Sequence, residues 1–409
     1  MANITYFAPD TDAYVESVMR HIKEFEQMYG DTVQFRIIPS DEYYSNQIQK
    51  YLAQDGGADV YMSGPILQWE HLHAGFVEPL DDYISRQEPW YHFEEFIPNL
   101  INANRWTGNF GDPLGKGPVI SIPINCESYN LVYNKDIFEK YALQVPKTWD
   151  EYFATAKWIA ENVEGARGFA QRGTGSWHTM FTGFATQYWS MGATDFDEEG
   201  RCAIASDRAV AVTEHFLQAL KESGPVNWPT QRWYELALDY CAGKYGLIVD
   251  SDHYVAYYEN PEMSAMKGRV GYAMTPVNAE GKAVPNMYTW GLVMNKRSRE
   301  KEAAWHFMQW ASSKEFLVRA AFEGNMNPTR TTVWEDPRVQ DMVSGYGDFA
   351  KVSRKLAEED GRILVTPTYR YRTVAERWVK ALLEAYEKGN TRQALEAAAK
   401  DIDAIMAQA

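Results

Sequence analysis

The chain has 409 residues, of which 45% are hydrophobic, 14% aromatic and 23% charged, a composition typical of a folded protein with two or three domains. Its formal net charge of −16 and its pI near 5.0 argue against nucleic acid or an anionic membrane as the main partner. The sequence has no run of about 18 apolar residues, so it predicts no membrane-spanning helix. The three cysteines are far apart and give neither a disulfide framework nor a zinc signature.

The first 65 residues predict strands that alternate with helices. A short apolar strand at 4–7 is followed by helical spacing at Val15, Val18, Ile22, Phe25 and Tyr29, and then by strand alternation at Val33, Phe35 and Ile37. A second helix is predicted at about 41–54 and a third strand at 59–62. This βαβαβ order implies a parallel sheet with right-handed crossovers.

Ligands of parallel sheets bind beyond the carboxyl ends of the strands. The loops at 8–12, 39–44 and 63–69 should therefore lie along one edge of the sheet. The candidate ligand-binding residues in these loops are Asp10, Tyr43, Ser63 and Gly64.

A capping box is predicted at Thr148 and Glu151, where the threonine hydroxyl would cap the first helical turn and the glutamate would reach back. The apolar stripe of that helix begins at Trp149. We interpret Trp149, Trp305 and Trp378 as core residues on apolar helix faces. Gly389 is expected to separate two final helices, at about 374–388 and 392–406.

Three segments resemble parts of metal-binding or phosphate-binding motifs without completing them. Residues 195–200 begin like a calcium loop, but position twelve is Ser206 where a bidentate glutamate is needed, so a hairpin turn is favoured. Residues 173–177 are rich in glycine without the lysine of a phosphate loop, and the histidines at 71 and 73 are interpreted as surface or helix-face residues. We expect no metal, no cofactor and no catalytic residue. A secreted glycoside hydrolase, with two of the 56 carboxylates acting as a pair, remains the rival of another class.

Five segments carry a family resemblance. They are Leu131-Val-Tyr-Asn-Lys-Asp136, Pro146-Lys-Thr-Trp-Asp-Glu151, Gly268-Arg-Val-Gly-Tyr-Ala-Met-Thr-Pro276, Trp290-Gly-Leu-Val-Met-Asn-Lys296 with the helix that follows it, and Gly324-Asn-Met-Asn-Pro-Thr-Arg330. In this order and at this spacing they resemble extracellular solute-binding protein family 1, the substrate-binding proteins of ABC sugar importers, which includes maltose-binding protein.

The resemblance implies an α/β fold, the two-lobe periplasmic-binding-protein fold (type II, cluster D-like). Each lobe would be a mainly parallel sheet flanked by helices, with the cleft between the lobes. The predicted lobes are 1–125 plus 274–326 and 126–273 plus 327–409, with crossings near 125–130, 268–276 and 324–332. Hinge closure around a ligand is the known motion of such proteins.

The function implied by the resemblance is non-catalytic. The protein would capture a carbohydrate, such as a saccharide or a sugar alcohol, in the interlobe cleft and deliver it to the permease subunits of an ABC importer. We expect a monomer with no nucleic-acid partner. The chain enters a strand directly after Met1, which suits either a cytosolic protein or a mature exported one whose leader was replaced. The resemblance favours the second, in the periplasm or outside the cell.

Two groups of site residues follow from the resemblance, one at the first crossing and one in the expected second lobe. Glu127 aligns with an acidic residue that binds sugar hydroxyls in maltose-binding protein, and Asn125 shares its face of the strand. The loop positions are Gly175, Ser176 and Trp177, where the family places a stacking aromatic, and Asp250, Ser251 and Asp252 at a strand-to-helix turn. Ser251 and His253 replace the usual glycine and tryptophan of that turn, so its aromatic stack is not expected; Asp252 could equally be a helix cap.

The remaining candidates are Tyr288, Trp290 and Gly291, together with Arg330, Tyr369 and Arg370. The glycine indicates either close approach of a ligand or a strand bulge. The arginines, with Arg372, would brace the hinge or meet an anionic group. The loop at 63–69 lacks the Asp-Arg pair and tryptophan of maltose-binding protein, so maltose is not expected to bind in the same way. Aromatic and acidic candidates favour a neutral ligand over an anionic sugar derivative.

Overall fold

The computed structural model describes residues 1–10, 12–43 and 47–408. The strands are β1 (Asn3–Pro9), β2 (Thr32–Ile38), β3 (Val60–Ser63), β4 (Ile122–Asn134), β5 (Arg167–Ala170), β6 (Tyr245–Ser251), β7 (Val270–Ala273) and β8 (Met287–Met294). The helices are α1 (Ala13–Tyr29), α2 (Ser40–Tyr43), α3 (Gln47–Leu52), α4 (Pro65–His73), α5 (Asp81–Ser85), α6 (Pro98–Ala103), α7 (Lys135–Lys140), α8 (Trp149–Asn162), α9 (Trp177–Ser190), α10 (Asp207–Ser223), α11 (Trp233–Cys241), α12 (Val255–Tyr258), α13 (Lys301–Ala311), α14 (Lys314–Phe322), α15 (Thr331–Trp334), α16 (Pro337–Ser344), α17 (Phe349–Lys355), α18 (Tyr371–Lys388) and α19 (Thr391–Met406). Short 3-10 segments lie at Phe93–Glu95, Trp228–Thr230 and Asp252–Tyr254, and a π turn at Leu356–Asp360.

The chain divides into two compact units. Unit 1 contains Met1–Cys126, Tyr288–Met342 and Pro367–Tyr369, and unit 2 contains Glu127–Met287, Val343–Thr366 and Arg370–Ala409. Within the described ranges, none of the helices is both long and apolar enough to cross a membrane.

The sheet of unit 1 runs in the order β2-β1-β3-β8. Strand β1 is parallel to both β2 and β3, which confirms the predicted βαβαβ unit, and β8 is antiparallel to β3 with Ser63 opposite Gly291. Helix α1 begins where the Asp12 carboxylate accepts a hydrogen bond from the Val15 amide and ends at Gly30, whose φ is +73°. Of the helix predicted at 41–54, the structure describes α2 and α3, whereas residues 44–46, and Thr11 of the first predicted loop, lie outside the described residues.

The sheet of unit 2 differs from the expected mainly parallel one. Strand β5 is parallel to β6, but β4 is antiparallel to both β6 and β7. Parallel neighbours require a crossover connection, usually through a helix. Strand β4, whose 13 residues begin in unit 1, is not joined to β6 or β7 by such a connection. The capping box at Thr148 and Glu151 and the left-handed stop at Gly389 are both confirmed.

The boundaries of the units depart from those placed on the sequence. The stretch 274–287, assigned by the sequence to the first lobe, lies in unit 2, because Thr275 Oγ1 donates to the Tyr129 carbonyl and the Val284 amide donates to Ser190 Oγ. The stretch 327–342 lies in unit 1, where Thr329 and Asn327 bond the backbone of β4. A short return at Pro367–Tyr369 was not predicted.

The acidic segment that begins at Asp195 forms a turn. The Asp197 amide donates to the Arg201 carbonyl at 2.9 Å, and Phe196 pairs with Cys202 across the hairpin. The Asp195 carboxylate accepts hydrogen bonds from the backbone amides of Phe196 and Thr366. No cluster of three or more possible metal ligands occurs among the residues that the structure describes.

Candidate functional site

A buried ion pair joins the ends of two neighbouring strands in unit 2. Arg172 lies two residues after β5, and Asp250 lies at the end of β6, which is parallel to β5. Arg172 Nε donates to Asp250 Oδ2 at 2.9 Å, and Arg172 Nη2 lies 2.7 Å from Asp250 Oδ1. The guanidinium thus meets the carboxylate with two donors, at the sheet edge where ligands of α/β proteins bind.

Glu127 completes this charged group. Its Oε2 lies 3.5 Å from Arg172 Nη2 and accepts a hydrogen bond of 3.3 Å from the Tyr129 hydroxyl. Its side chain is 16% exposed, whereas those of Arg172 and Asp250 are 5% and 1% exposed. Glu127 is therefore the member of the group that a ligand can reach most directly.

Aromatic rings enclose the arginine. The Arg172 guanidinium carbon lies 5.7 Å from the ring centre of Tyr129 and 5.5 Å from that of Tyr254. Both tyrosines are buried. The Trp233 ring is parallel to Tyr254, with 6.4 Å between the ring centres. Cation–π contacts of this kind stabilise a desolvated guanidinium.

Burial and charge act in opposite directions on this pair. Burial by itself would lower the pKa of Arg172, but Asp250 is the strongest of the neighbouring groups that hold this pKa well above its ordinary value. Burial raises the pKa of Asp250, and the Arg172 charge opposes that rise. The Arg172 guanidinium is therefore protonated at neutral pH, and it lies between the carboxyl groups of Asp250 and Glu127.

The turn after β6 is held by hydrogen bonds within unit 2. Asp252 Oδ1 accepts from the Ser128 amide at 2.9 Å, and Ser251 Oγ accepts from the His253 amide at 3.2 Å. Ser251 is thus the N-cap of the 3-10 segment, while Asp252 links the turn to β4 beside Glu127. The structure brings together four predicted residues, Glu127, Asp250, Ser251 and Asp252.

The segment after Arg172 is fixed by close packing. The Trp228 indole donates to the Arg172 carbonyl at 2.8 Å, and a Cβ atom on Gly173 would lie 1.6 Å from the Trp228 carbonyl oxygen. Only glycine fits there without moving the backbone. Gly175 and Ser176 are exposed, with Ser176 as the N-cap of α9, and Trp177 is buried within unit 2.

Unit 1 brings together a second set of predicted residues, Ser63, Gly64, Tyr288, Trp290 and Gly291. A Cβ atom on Gly64 would lie 2.5 Å from the Tyr288 hydroxyl oxygen, and the rings of Tyr288 and Trp290 are 5.2 Å apart. A Cβ on Gly291 would lie 1.9 Å from Ser121 Oγ. Both glycines are explained by packing of the protein on itself.

Asp10 and Tyr43 organise the adjacent loops. The Asp10 carboxylate accepts from the Ser40 amide at 2.8 Å and from its hydroxyl at 3.0 Å. The buried Tyr43 hydroxyl donates to the carbonyls of Phe7 and Met62, which belong to two paired strands. The bonds of Tyr43 support a structural role for its hydroxyl.

Asn125 lies in a ladder of polar side chains in unit 1. Asn325 donates to the Ile124 carbonyl, Asn327 to the Cys126 carbonyl and Thr329 to the Pro123 carbonyl. Asn125 Nδ2 itself donates to Asn325 Oδ1. This ladder fixes the backbone of β4 up to the residue before Glu127.

Arg330 is fully buried in unit 1, between aromatic rings. Its guanidinium carbon lies 4.0 Å from the ring centre of Phe96 and 4.7 Å from that of Tyr91. It donates to the carbonyls of Ser312 and His92, and Nη1 lies 3.3 Å from Glu95 Oε2. These contacts support the bracing role that the sequence left open.

The other residues of the last crossing are placed separately. The Tyr369 ring stacks on His73, with ring centres 3.6 Å apart, and both belong to unit 1. Arg370 is the N-cap residue of α18 in unit 2, and Arg372 pairs with Glu376 at 3.1 Å.

Sequence reasoning missed Arg172, Tyr129 and Tyr254. The feature that points to Arg172 is its place in the loop after the short strand at 167–170, but a strand of four residues gives no periodic pattern from which to predict it. Once β5 is placed beside β6, the rule that ligands bind at the carboxyl ends of strands selects Arg172 as well as Asp250, which the family resemblance had proposed.

Comparisons with known proteins agree on one family. The model of the bacterial extracellular solute-binding protein family matches residues 8–316. The erythritol/L-threitol-binding protein of Mycolicibacterium smegmatis is 28% identical over 396 residues, which cover 95% of this chain and 82% of that protein. The mannitol-binding protein of Pseudomonas aeruginosa is 25% identical over 302 residues, covering 73% and 66%. An ABC transporter solute-binding protein from Agrobacterium radiobacter K84 was solved in complex with ribitol. It superposes with a TM-score of 0.87 at 20% identity, and the match covers 99% of this chain and 98% of that one, which shows the shared fold.

Proposed function

The chain belongs to the bacterial extracellular solute-binding protein family, and on that premise we propose that it is the substrate-binding component of an ABC importer for a sugar alcohol or a small sugar. The observation that carries the proposal is the buried group of Arg172, Asp250 and Glu127 with its tyrosine walls. Fixed acceptors beside aromatic surfaces suit a molecule that presents hydroxyl groups and C–H faces.

The ligand class follows from two sources. The relatives named for erythritol, L-threitol and mannitol bind acyclic polyols, and they favour such a ligand here. The charge of the site favours a neutral one, because the group holds two carboxylates against one guanidinium. Arg330 and Arg372 each have a carboxylate partner within the protein, which supports bracing over recognition of an anion.

The remaining parts of the proposal come from the family. The protein would pass its ligand to permease subunits, act as a monomer and work in the periplasm or outside the cell. Binding without turnover is expected, since the charged group matches a preorganised hydrogen-bonding site and the family is one of solute-binding proteins.

The test is a thermal-shift panel on protein that has been unfolded and refolded to remove any carried ligand. Erythritol, L-threitol, ribitol, D-mannitol and maltose are compared with glycine betaine, an osmolyte control. A true ligand at about 100 times its Kd adds about 2.7 kcal/mol to the free energy of unfolding and raises Tm in a saturable way. Proton NMR of the same samples should show the ligand unchanged. Shifts no larger than that of betaine, or conversion of any glycoside, would contradict the proposal.

A further inference from the structure

We propose that Arg172 sets the charge that the ligand can carry, because it holds Asp250 and Glu127 together as hydrogen-bond acceptors with a net negative charge. These acceptors bind neighbouring hydroxyl groups of an uncharged ligand and exclude the corresponding sugar acid. The inference rests on the proposed function and adds to it a residue and a selectivity. The ligand class is an alditol, and the excluded class is the aldonate of the same chain length.

The Arg172 guanidinium is held between two carboxylates. Its Nε and Nη2 atoms contact the two carboxylate oxygens of Asp250, at 2.9 and 2.7 Å. The same Nη2 lies 3.5 Å from Glu127 Oε2, so it lies between the two carboxylates. Tyr129 and Tyr254 cover the guanidinium. Its charge is thus directed to protein carboxylates and its position is fixed from several sides.

Arg172, Asp250 and Glu127 together carry a net negative charge. One guanidinium between two carboxylates leaves the group with a net charge of −1, and the Asp252 carboxylate, two residues after Asp250, accepts a hydrogen bond from the Ser128 amide. Glu127, the most exposed member, therefore presents negative charge. A hydroxyl donates to such a group, whereas a ligand carboxylate is repelled by it.

Substitutions at 172 and 127 separate a positioning role of Arg172 from a packing role. Arg172→Lys keeps the positive charge but loses the fork that matches Asp250. Glu127→Gln keeps the size of the side chain but brings the group to zero net charge. The two changes therefore act differently on affinity and on charge selectivity, which a purely structural role for Arg172 would not do.

The experiment measures Kd by calorimetry for matched pairs: erythritol and erythronate, ribitol and ribonate, D-mannitol and D-mannonate. The readout is the ratio of the aldonate Kd to the alditol Kd. In the native protein the ratio should be at least about tenfold, and Glu127→Gln should lower it by about tenfold, since one close unit charge is removed at moderate effective dielectric. Added salt should lower the native ratio as well.

Arg172→Lys should bind every alditol more weakly, by about tenfold, and keep the native ratio. Arg172→Met leaves two uncompensated carboxylates, so its ratio should exceed the native one at neutral pH and fall as the pH is lowered. The controls are Arg269→Met and Glu139→Gln, which make the same charge changes in an exposed ion pair of unit 2 and should leave the ratio unchanged. Folding of each variant is checked by urea unfolding.

The outcomes separate the two claims. If the native protein binds no alditol and no sugar, the proposed function fails and the inference fails with it. If an alditol binds but Glu127→Gln keeps the native ratio, the inference is overturned and the proposed function stands. A ratio that falls in Arg172→Lys as far as in Glu127→Gln would also overturn it. Should Arg172→Met not fold, the lysine and glutamine variants still decide the matter.

Discussion

Arg172 and Asp250 are joined by two donor contacts of 2.9 and 2.7 Å across the ends of two parallel strands, although 78 positions separate them in the sequence. Both side chains are almost fully buried. The pair therefore couples the fold of unit 2 to the chemistry of its candidate site, because the guanidinium opposes the rise that burial causes in the pKa of Asp250.

Asp250→Asn should destabilise unit 2 substantially. Removal of one partner from a buried ion pair leaves an uncompensated charge and typically costs about 3–5 kcal/mol. Urea unfolding followed by far-UV circular dichroism measures the loss. The control is Asp239→Asn, which breaks the exposed Lys244 pair and should cost no more than about 1 kcal/mol. Equal losses in the free energy of unfolding of the two variants would contradict a larger contribution from the buried pair than from the exposed one.

Gly64→Ala should disturb unit 1 by steric overlap alone. Its φ of −119° suits any residue, but the new Cβ would lie 2.4 to 2.7 Å from atoms of the Tyr288 ring. Overpacking of this kind costs about 1–3 kcal/mol. Near-UV circular dichroism should report the displaced tyrosine, and urea unfolding the loss of stability.

Gly345→Ala is the matched control for Gly64→Ala, since a Cβ there would meet no atom within 4 Å and its φ is not positive. It should change the free energy of unfolding by less than about 0.5 kcal/mol. A native near-UV spectrum in Gly64→Ala would contradict the close contact with Tyr288.

Arg330→Met should lower stability without changing ligand selectivity. The variant leaves the carbonyls of His92 and Ser312 without their donor and Glu95 without its partner, which costs about 3 kcal/mol or more. Arg299→Met, in an exposed pair with Asp55, is the control in the same unit. A shift in the aldonate-to-alditol ratio for Arg330→Met would instead place this arginine against the ligand.

Glu323 should contribute a pH-dependent part of the stability. Burial alone would raise its pKa, but Ser17, His21 and Arg20 together lower it from the ordinary value of 4.5 to about 2. Arg20 and His21 each lie 2.9 Å from Glu323 Oε1. Because the pKa is lower in the folded state, the stabilisation is present above pH 4.5 and is lost as the pH falls towards 2.

Urea midpoints of the native protein and of Glu323→Gln, measured from neutral pH down to about pH 2.5, check this expectation. The native protein should have the higher midpoint at neutral pH, and the difference should shrink below pH 4.5. Glu300→Gln, an exposed residue of the same unit, should follow the native curve. A difference that stays constant down to the lowest pH would contradict the assigned role.

Local sequence signals predicted much of the fold. The Thr148–Glu151 capping box and the Gly389 stop depend on residues within a few positions of each other, and both are confirmed. Glu127 and the turn at 250–252 were both proposed as site residues from the family resemblance, and the structure places these residues together.

The features that the sequence did not predict depend on distant contacts. Arg172 is 45 positions from Glu127, and the strand before it has only four residues, too short for a periodic pattern. Two partners of Arg330, His92 and Glu95, lie more than 200 positions away, so sequence reasoning could not decide between bracing and ligand contact. The observed unit boundaries differ from the predicted ones for the same reason. Distant hydrogen bonds, such as that from Thr275 to the Tyr129 carbonyl, determine the unit to which a segment belongs.

The central claim is that this protein binds a neutral polyol or small sugar without converting it, and calorimetric titration of the refolded, ligand-free protein tests it most directly. The prediction is saturable binding of at least one of erythritol, L-threitol, ribitol or D-mannitol at one site per chain, weakened about ten- to a hundredfold in Glu127→Gln because a charged hydrogen bond is lost. The titrated ligand should be recovered unchanged. No measurable binding of any sugar alcohol or sugar, or the native affinity in a folded Glu127→Gln protein, would contradict the account.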